Sequence, residues 1–175
     1  MILTGKSIKD AVLNGEIEIS PFNTVYINDN SYDVTLGSKL LVYKDEIVDT
    51  AKKNAVEEID IPEEGIVLKK GQFYVGHIEQ FIGSNCFVPL LHGVKEIAKK
   101  GLFIHITANL IDIGNYCNFS LQLFPTENIR VYKGMKIAQV SFWKVSGKIK
   151  LYHGKYKGVI GPASSQSYKH HTNMK

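Results

Sequence analysis

Along "CNFSLQLF", Phe119, Leu121 and Leu123 alternate with Ser120, Gln122 and Phe124. A period of two places the aliphatic set on one pleat face and Gln122 on the other, so the stretch is predicted to be a strand. Similar short apolar pieces recur as "EIEIS", "YDVTLGSKLLVY", "GIVLKKGQFYVGHI", "CFVPLLHG", "GLFIHITANLI", "NIRVYKGMKIAQVSFW" and "GKIKLYH". Gly, Pro and Asn punctuate them at short spacing, the pattern of sandwiches and barrels. Helical spacing occurs twice. In "TGKSIKDAVLNGEIEI", Thr4 can cap, Ile8, Val12 and Leu13 share a stripe, and Gly15 can end the helix. In "GVKEIAKKGL" a short helical turn ends at Gly101. The charged stretch "KDEIVDTAKKNAVEEIDIPEEG" reads as an exposed loop carrying one short strand at "EEIDI". The expected architecture is mainly β, with an N-terminal helix and one short internal helix.

Composition narrows the picture. The chain has 175 residues, 44% of them hydrophobic, enough for one domain with a core. Cys86 and Cys117 show no CxxC spacing, which suits a reducing, cytoplasmic setting. No signal peptide or membrane-spanning apolar run is read in the chain, so no membrane partner is expected. The formal net charge is +4 and Arg130 is the one arginine, which argues against nucleic acid as a partner. Phosphate-loop, dinucleotide-binding, zinc-protease, nucleophile-elbow and calcium-loop motifs are absent. Six scattered histidines, none at ligand spacing, give no metal site. His105, among aliphatics in "FIHIT", is read as a hydrogen-bonded core histidine.

Five segments stand in a telling order: "SYDVTLG", "GVKEIAKKGLFIHITA", "IDIG" followed by "LQL", "KGMKIAQVSF", and "GKYKGVIGPASSQ". Together they resemble the dCTP deaminase family within the trimeric dUTPase-like fold, over almost the whole chain. The resemblance implies a distorted jelly roll or β-barrel and a homotrimer with nucleotide sites at its interfaces. It implies one domain over residues 1–165, a lid from about residue 150, and a flexible tail over 166–175. Backbone around Thr107 and Ala108 would read a pyrimidine base. Lys95 and Lys99 near the helical turn, with Tyr152, Lys155 and Tyr156 of the C-terminal segment, would hold the triphosphate, with Mg2+ carried on the phosphates. An ammonium and phenols suit that task because they donate hydrogen bonds to anionic oxygen. Asp112 would lie by the sugar and the hydrolytic water.

The same resemblance exposes departures. The family's deaminating glutamate falls on Gln122, whose carboxamide keeps the shape of a carboxyl but has no pKa near neutrality. Two arginines and two serines of the helical turn become Val94, Lys99, Lys95 and Glu96. Further arginines become Leu110 and Gln166, and a lid glutamine becomes Val159. The sequence therefore reads as a nucleotide-binding protein, degenerate as a deaminase, that holds or sequesters a pyrimidine nucleotide or nucleotide-like signal. The alternative is an active enzyme of pyrimidine deoxynucleotide metabolism. It is either a dUTPase-like diphosphatase using Asp112, or a dCTP deaminase producing dUTP with a base such as Glu96 or His105.

Overall fold

A computed structural model describes residues 1–172. Helix α1 runs Gly5–Leu13, with the Thr4 hydroxyl accepting the Ser7 N–H at 3.4 Å. Its buried side is Gly5, Ile8 and Ala11, spaced by three. Leu13, expected in the stripe, lies on the solvent side and is 71% exposed. Then follow β1 Ile17–Ser20, a 3-10 turn Thr24–Tyr26, β2 Tyr32–Thr35, β3 Lys39–Tyr43, β4 Val56–Asp60, β5 Ile66–Leu68, β6 Tyr74–Ser84 and β7 Phe87–Gly93. The chain continues as α2 Lys95–Ala98, β8 Leu102–Phe103, β9 Cys117–Pro125, β10 Ile129–Val131, β11 Lys136–Lys144 and α3 Tyr168–Thr172. No described helix is long and apolar enough to cross a membrane.

The strands form a six-stranded sheet ordered β4-β3-β6-β9-β8 with β1 also on β6, a three-stranded sheet β2-β11-β7, and the pair β10-β5. They do not close into a barrel; the arrangement is an open, jelly-roll-like one, mainly β as expected. Burial follows the alternation of β9: Phe119, Leu121 and Leu123 are in the core, whereas Ser120, Gln122 and Phe124 are not. They pack with Tyr32, Leu40, Ile78, Ile82, Leu91 and Phe142. One tight approach fixes a residue of "SYDVTLG": a Cβ on Gly37 would overlap the His77 ring, so only glycine lets β3 begin where it does.

Two predicted strands are not strands. In "GLFIHITANLI" only Leu102–Phe103 is regular. Beyond it, the Ile106 and Thr107 N–H groups turn to the Gln122 side chain, and Asn109 O and Leu110 meet β7 at Leu91 and Leu90. "GKIKLYH" crosses the surface without a ladder, its backbone tied to the body by Tyr152 N–H to Ile113 O at 2.8 Å. In the stretch read as tail, Ser167 Oγ donates to Thr50 O at 2.7 Å and Tyr168–Thr172 is helical. Residues 173–175 of that stretch lie outside the described residues.

Candidate functional site

A cleft of about 430 Å3 opens between β9, the loop around Ala108–Asp112, and the C-terminal segment. The β9 face that alternates away from the core supplies Asn118, Ser120 and Gln122. Tyr43, Phe73 and Val75 form an aromatic and aliphatic side, and Tyr152, Tyr156 and Val159 close it from the C-terminal segment.

Gln122 is fixed by its neighbours. Its Oε1 accepts the Ile106 N–H at 3.0 Å and the Thr107 N–H at 3.5 Å, while its own N–H donates to Ile104 O at 2.9 Å. An oxygen facing two donors settles which end of the amide is which. The Nε2 group has no protein partner among the described residues and belongs to a side chain lining the cleft.

Asp112 also lines the cleft, at a turn closed by Asn115 N–H to Asp112 O at 3.1 Å; Gly114 takes a positive φ of 85° there. Asn115 is 9% exposed and its Oδ1 is buried without a partner. A second depression of about 300 Å3 shares Asp112 and Tyr152 with the cleft and adds Lys150 and His153. The main cleft therefore mixes apolar and neutral polar side chains with one carboxylate, and cationic side chains begin where it passes Asp112.

The C-terminal segment is braced over the site. Asn118 N–H donates to Val159 O at 3.0 Å and Asn118 Oδ1 accepts the Gly161 N–H at 3.1 Å. Gly158 and Gly161 carry positive φ of 77° and 78°, the backbone freedom this turn requires. The Tyr152 hydroxyl accepts the Tyr156 N–H at 3.2 Å, and the Tyr156 hydroxyl accepts the Gln166 N–H at 2.9 Å.

Of the residues singled out in the sequence, Ala108, Asp112, Gln122, Tyr152 and Tyr156 line this cleft, and Thr107 borders it through Gln122. Lys155 does not line it: its Nζ donates to Gln166 O at 2.8 Å and lies 3.0 Å from His170 Nε2. Lys95 and Lys99 are exposed at α2, whose buried residue is Ile97, and do not line this chain's own cleft. Glu96 and His105 line no part of it either. His105 is half-buried with Nδ1 unpartnered, unlike the satisfied core histidine expected, and burial lowers its pKa. Cys117 lines the cleft as a neutral thiol, its pKa pushed up to about 12 by burial, so it is no nucleophile.

Sequence reasoning missed Tyr43, Phe73, Asn115, Asn118, Lys150 and His153. Asn118 alone had a local signal, since it continues the even-numbered face of Ser120 and Gln122. Among the described residues no three His, Cys, Asp or Glu side chains gather to hold a metal.

Comparison with known proteins bears on this site. The model of a family described as dCTP deaminase-like matches residues 2–145. A protein of Clostridium acetobutylicum named "dCTP deaminase, dUMP-forming" is 41% identical over 174 residues, covering 99% of this chain and all of the relative. One of the same name from Cytophaga hutchinsonii is 39% identical over 171 residues, covering 97% of this chain and 98% of its own. The solved 2'-deoxycytidine 5'-triphosphate deaminase of Agrobacterium tumefaciens superposes with a TM-score of 0.65 at 16% identity. That match covers 81% of this chain and 47% of the other, a likeness of fold.

Proposed function

The chain belongs to the dCTP deaminase-like family, and from that premise we propose that it is an enzyme of pyrimidine deoxynucleotide metabolism. Its cleft takes a pyrimidine deoxynucleoside triphosphate and yields the monophosphate. The observation that carries this reading is the meeting of Gln122 and Asp112 on one cleft, with Lys150 and His153 just past Asp112. The base lies against Phe73, Val75 and the Gln122 amide; the sugar passes Asp112; the phosphates run toward Lys150, His153 and Tyr152.

The name of the relatives contains two reactions. Turning dCTP into dUMP consumes two waters and releases ammonia and pyrophosphate. For the second half, Asp112 orients a water toward the α-phosphorus, an oxygen–phosphorus bond forms, and pyrophosphate leaves. For the first half a group must pass protons between water and the ring, work typically worth about 10²–10⁴-fold. Gln122 cannot do it. Pyrophosphate release is therefore the reaction this chain's residues support best, and dUTP is its better substrate.

Lys95 and Lys99 point out from α2 and enter the site of a neighbouring copy in a homotrimer, adding charge to the phosphate end. Magnesium fits as a passenger: with one carboxylate in the cleft and no three-ligand cluster, phosphate oxygens must supply most of its ligands. When bound it neutralises phosphate charge, while orienting the water remains the task of Asp112.

A second reading, binding without turnover, is favoured by the absence of lysine and arginine from the main cleft and by the tied-up Gln122 carbonyl. One assay separates the two. Pyrophosphate and ammonia are followed independently with dUTP and dCTP. Pyrophosphate from dUTP, abolished by Asp112→Asn, with ammonia from dCTP at least a hundredfold slower, supports the enzyme. Saturable binding with neither product supports the second reading.

A further inference from the structure

We propose that Gln122 makes this cleft selective for a pyrimidine that carries an oxygen at position 4, uracil or thymine, over one that carries an amine. The inference rests on the reading that residue 122 faces the 4-substituent of a bound base; it concerns recognition, not turnover.

Among the described residues, the amide of Gln122 has one tied end and one free end. Two backbone donors, Ile106 N–H at 3.0 Å and Thr107 N–H at 3.5 Å, converge on Oε1. Rotating the amide by half a turn would aim its NH2 at those same donors and give up both hydrogen bonds, so the flip is disfavoured. The backbone thus sets the orientation, and the NH2 is the end left for a ligand. It is donor-only, because the amide nitrogen lone pair is delocalised into the carbonyl.

A carboxylate at the same position behaves differently. One oxygen takes the Ile106 N–H and the other remains an acceptor facing the cleft, a match for an exocyclic amine. Replacing that oxygen with NH2 reverses the polarity of the contact without changing its shape. The 4-amino group of cytosine is a donor and the 4-oxygen of uracil or thymine an acceptor. Against Gln122, cytosine sets donor to donor and leaves both unpaired, whereas a 4-oxo base closes the bond. A site built to pair with one group discriminates strongly against an analogue that lacks it.

The rest of the cleft does not oppose this choice. Phe73 and Val75 are indifferent to the 4-substituent, and Asn118 is tied to the protein at both ends. The Ser120 hydroxyl can donate or accept, and Asn115 sits with the lone carboxylate, Asp112, at the turn toward the phosphate depression. Among these, Gln122 presents a donor whose orientation the backbone fixes.

The test is a pair of dissociation constants for the α,β-imido analogues of dUTP and dCTP, which resist cleavage, measured by calorimetry on the full chain. Wild-type protein is expected to bind the uracil analogue at least tenfold more tightly. Gln122→Glu is expected to reverse the order, and Gln122→Ala to bring the two within about threefold. Equal affinity for both analogues in the wild type, or a uracil preference that survives Gln122→Glu, overturns the inference. Failure to bind either analogue would overturn the functional reading as well, so the two failures are told apart by whether binding occurs. Should a variant misfold, the wild-type ratio decides by itself, with thymidine and 5-methylcytosine analogues as a second pair differing at position 4.

Discussion

Asn118 Oδ1 accepts the Gly161 N–H at 3.1 Å, joining the strand beneath the cleft to the segment above it. The same side chain donates from Nδ2 to Glu79 O at 2.9 Å, so both ends of a 7%-exposed amide are satisfied. Asn118→Ala removes both bonds and strands Glu79 O and Gly161 N–H. We expect a loss of about 1–3 kcal/mol and much faster amide exchange at Gly161. Nucleotide affinity should fall along with it, because the turn at Gly161 loosens over the cleft even though the Asn118 backbone N–H still holds Val159 O. Unaltered exchange at Gly161 would show that the segment is held by other contacts.

Gly37 lies against the face of the His77 ring, and a Cβ there has no room. His77 cannot yield easily: it is 8% exposed and its Nδ1 is 2.8 Å from Ile78 O. Gly37→Ala is expected to cost about 1–3 kcal/mol, the usual penalty of overpacking. Urea unfolding of Gly37→Ala, His77→Ala and the double variant checks the cause. The alanine at 37 should be nearly harmless once the ring is gone, giving a clear coupling energy. Additive losses would refute the overlap.

These two residues also mark what the sequence could reveal. Local signals were enough for α1, where Thr4 caps and Gly15 ends the helix, and for β9, where alternation alone sorted Leu121 from Gln122. Asp112, Tyr152 and Tyr156, which the family resemblance groups through motifs of readable order, line one cleft. The resemblance did not foresee that "HITAN" would abandon the ladder. That choice depends on a side chain more than ten positions away offering its carbonyl to two N–H groups. Nor could local pattern find Tyr43 or Phe73, which reach the cleft through pairing of β3, β6 and β9. Lys95 and Lys99 show the converse: motif position assigned them to a phosphate, but this chain's own geometry leaves them facing outward.

Asn115 holds an acceptor that the folded chain leaves unanswered, Oδ1 being buried with no partner. An isosteric leucine removes that deficit and adds apolar contact with the cleft wall. Asn115→Leu should raise stability by about 1 kcal/mol while weakening nucleotide binding, the opposite signs expected of a polar group kept for a ligand. Thermal unfolding and calorimetry on the same sample read both. A variant less stable than wild type would mean that Oδ1 is satisfied by solvent.

Acid should weaken the fold through its buried and half-buried histidines. His77, His92 and His105 all have pKa values held below the ordinary 6.5, burial being the first cause in each; for His92 the nearby His105 adds to it, and for His77 a bond to Ile78 O partly offsets it. The unfolded chain therefore takes up protons near pH 6.5 that the folded chain refuses, and stability rises with pH wherever the unfolded state binds more protons. The contribution is complete well above pH 6.5 and is lost on acidification through 6.5 toward the lowered folded values. Each proton withheld gives a slope of about 1.4 kcal/mol per pH unit. Urea midpoints at pH 7.5, 6.5, 5.5 and 5.0 should fall slightly across the first two and more steeply thereafter. His92 is the informative substitution, because its Nε2 lies 2.7 Å from Ser141 Oγ. His92→Gln can keep a bond there without titrating, and should flatten the acid limb. A stability that holds or climbs from pH 6.5 to 5.0 would mean that these rings are protonated inside the folded protein.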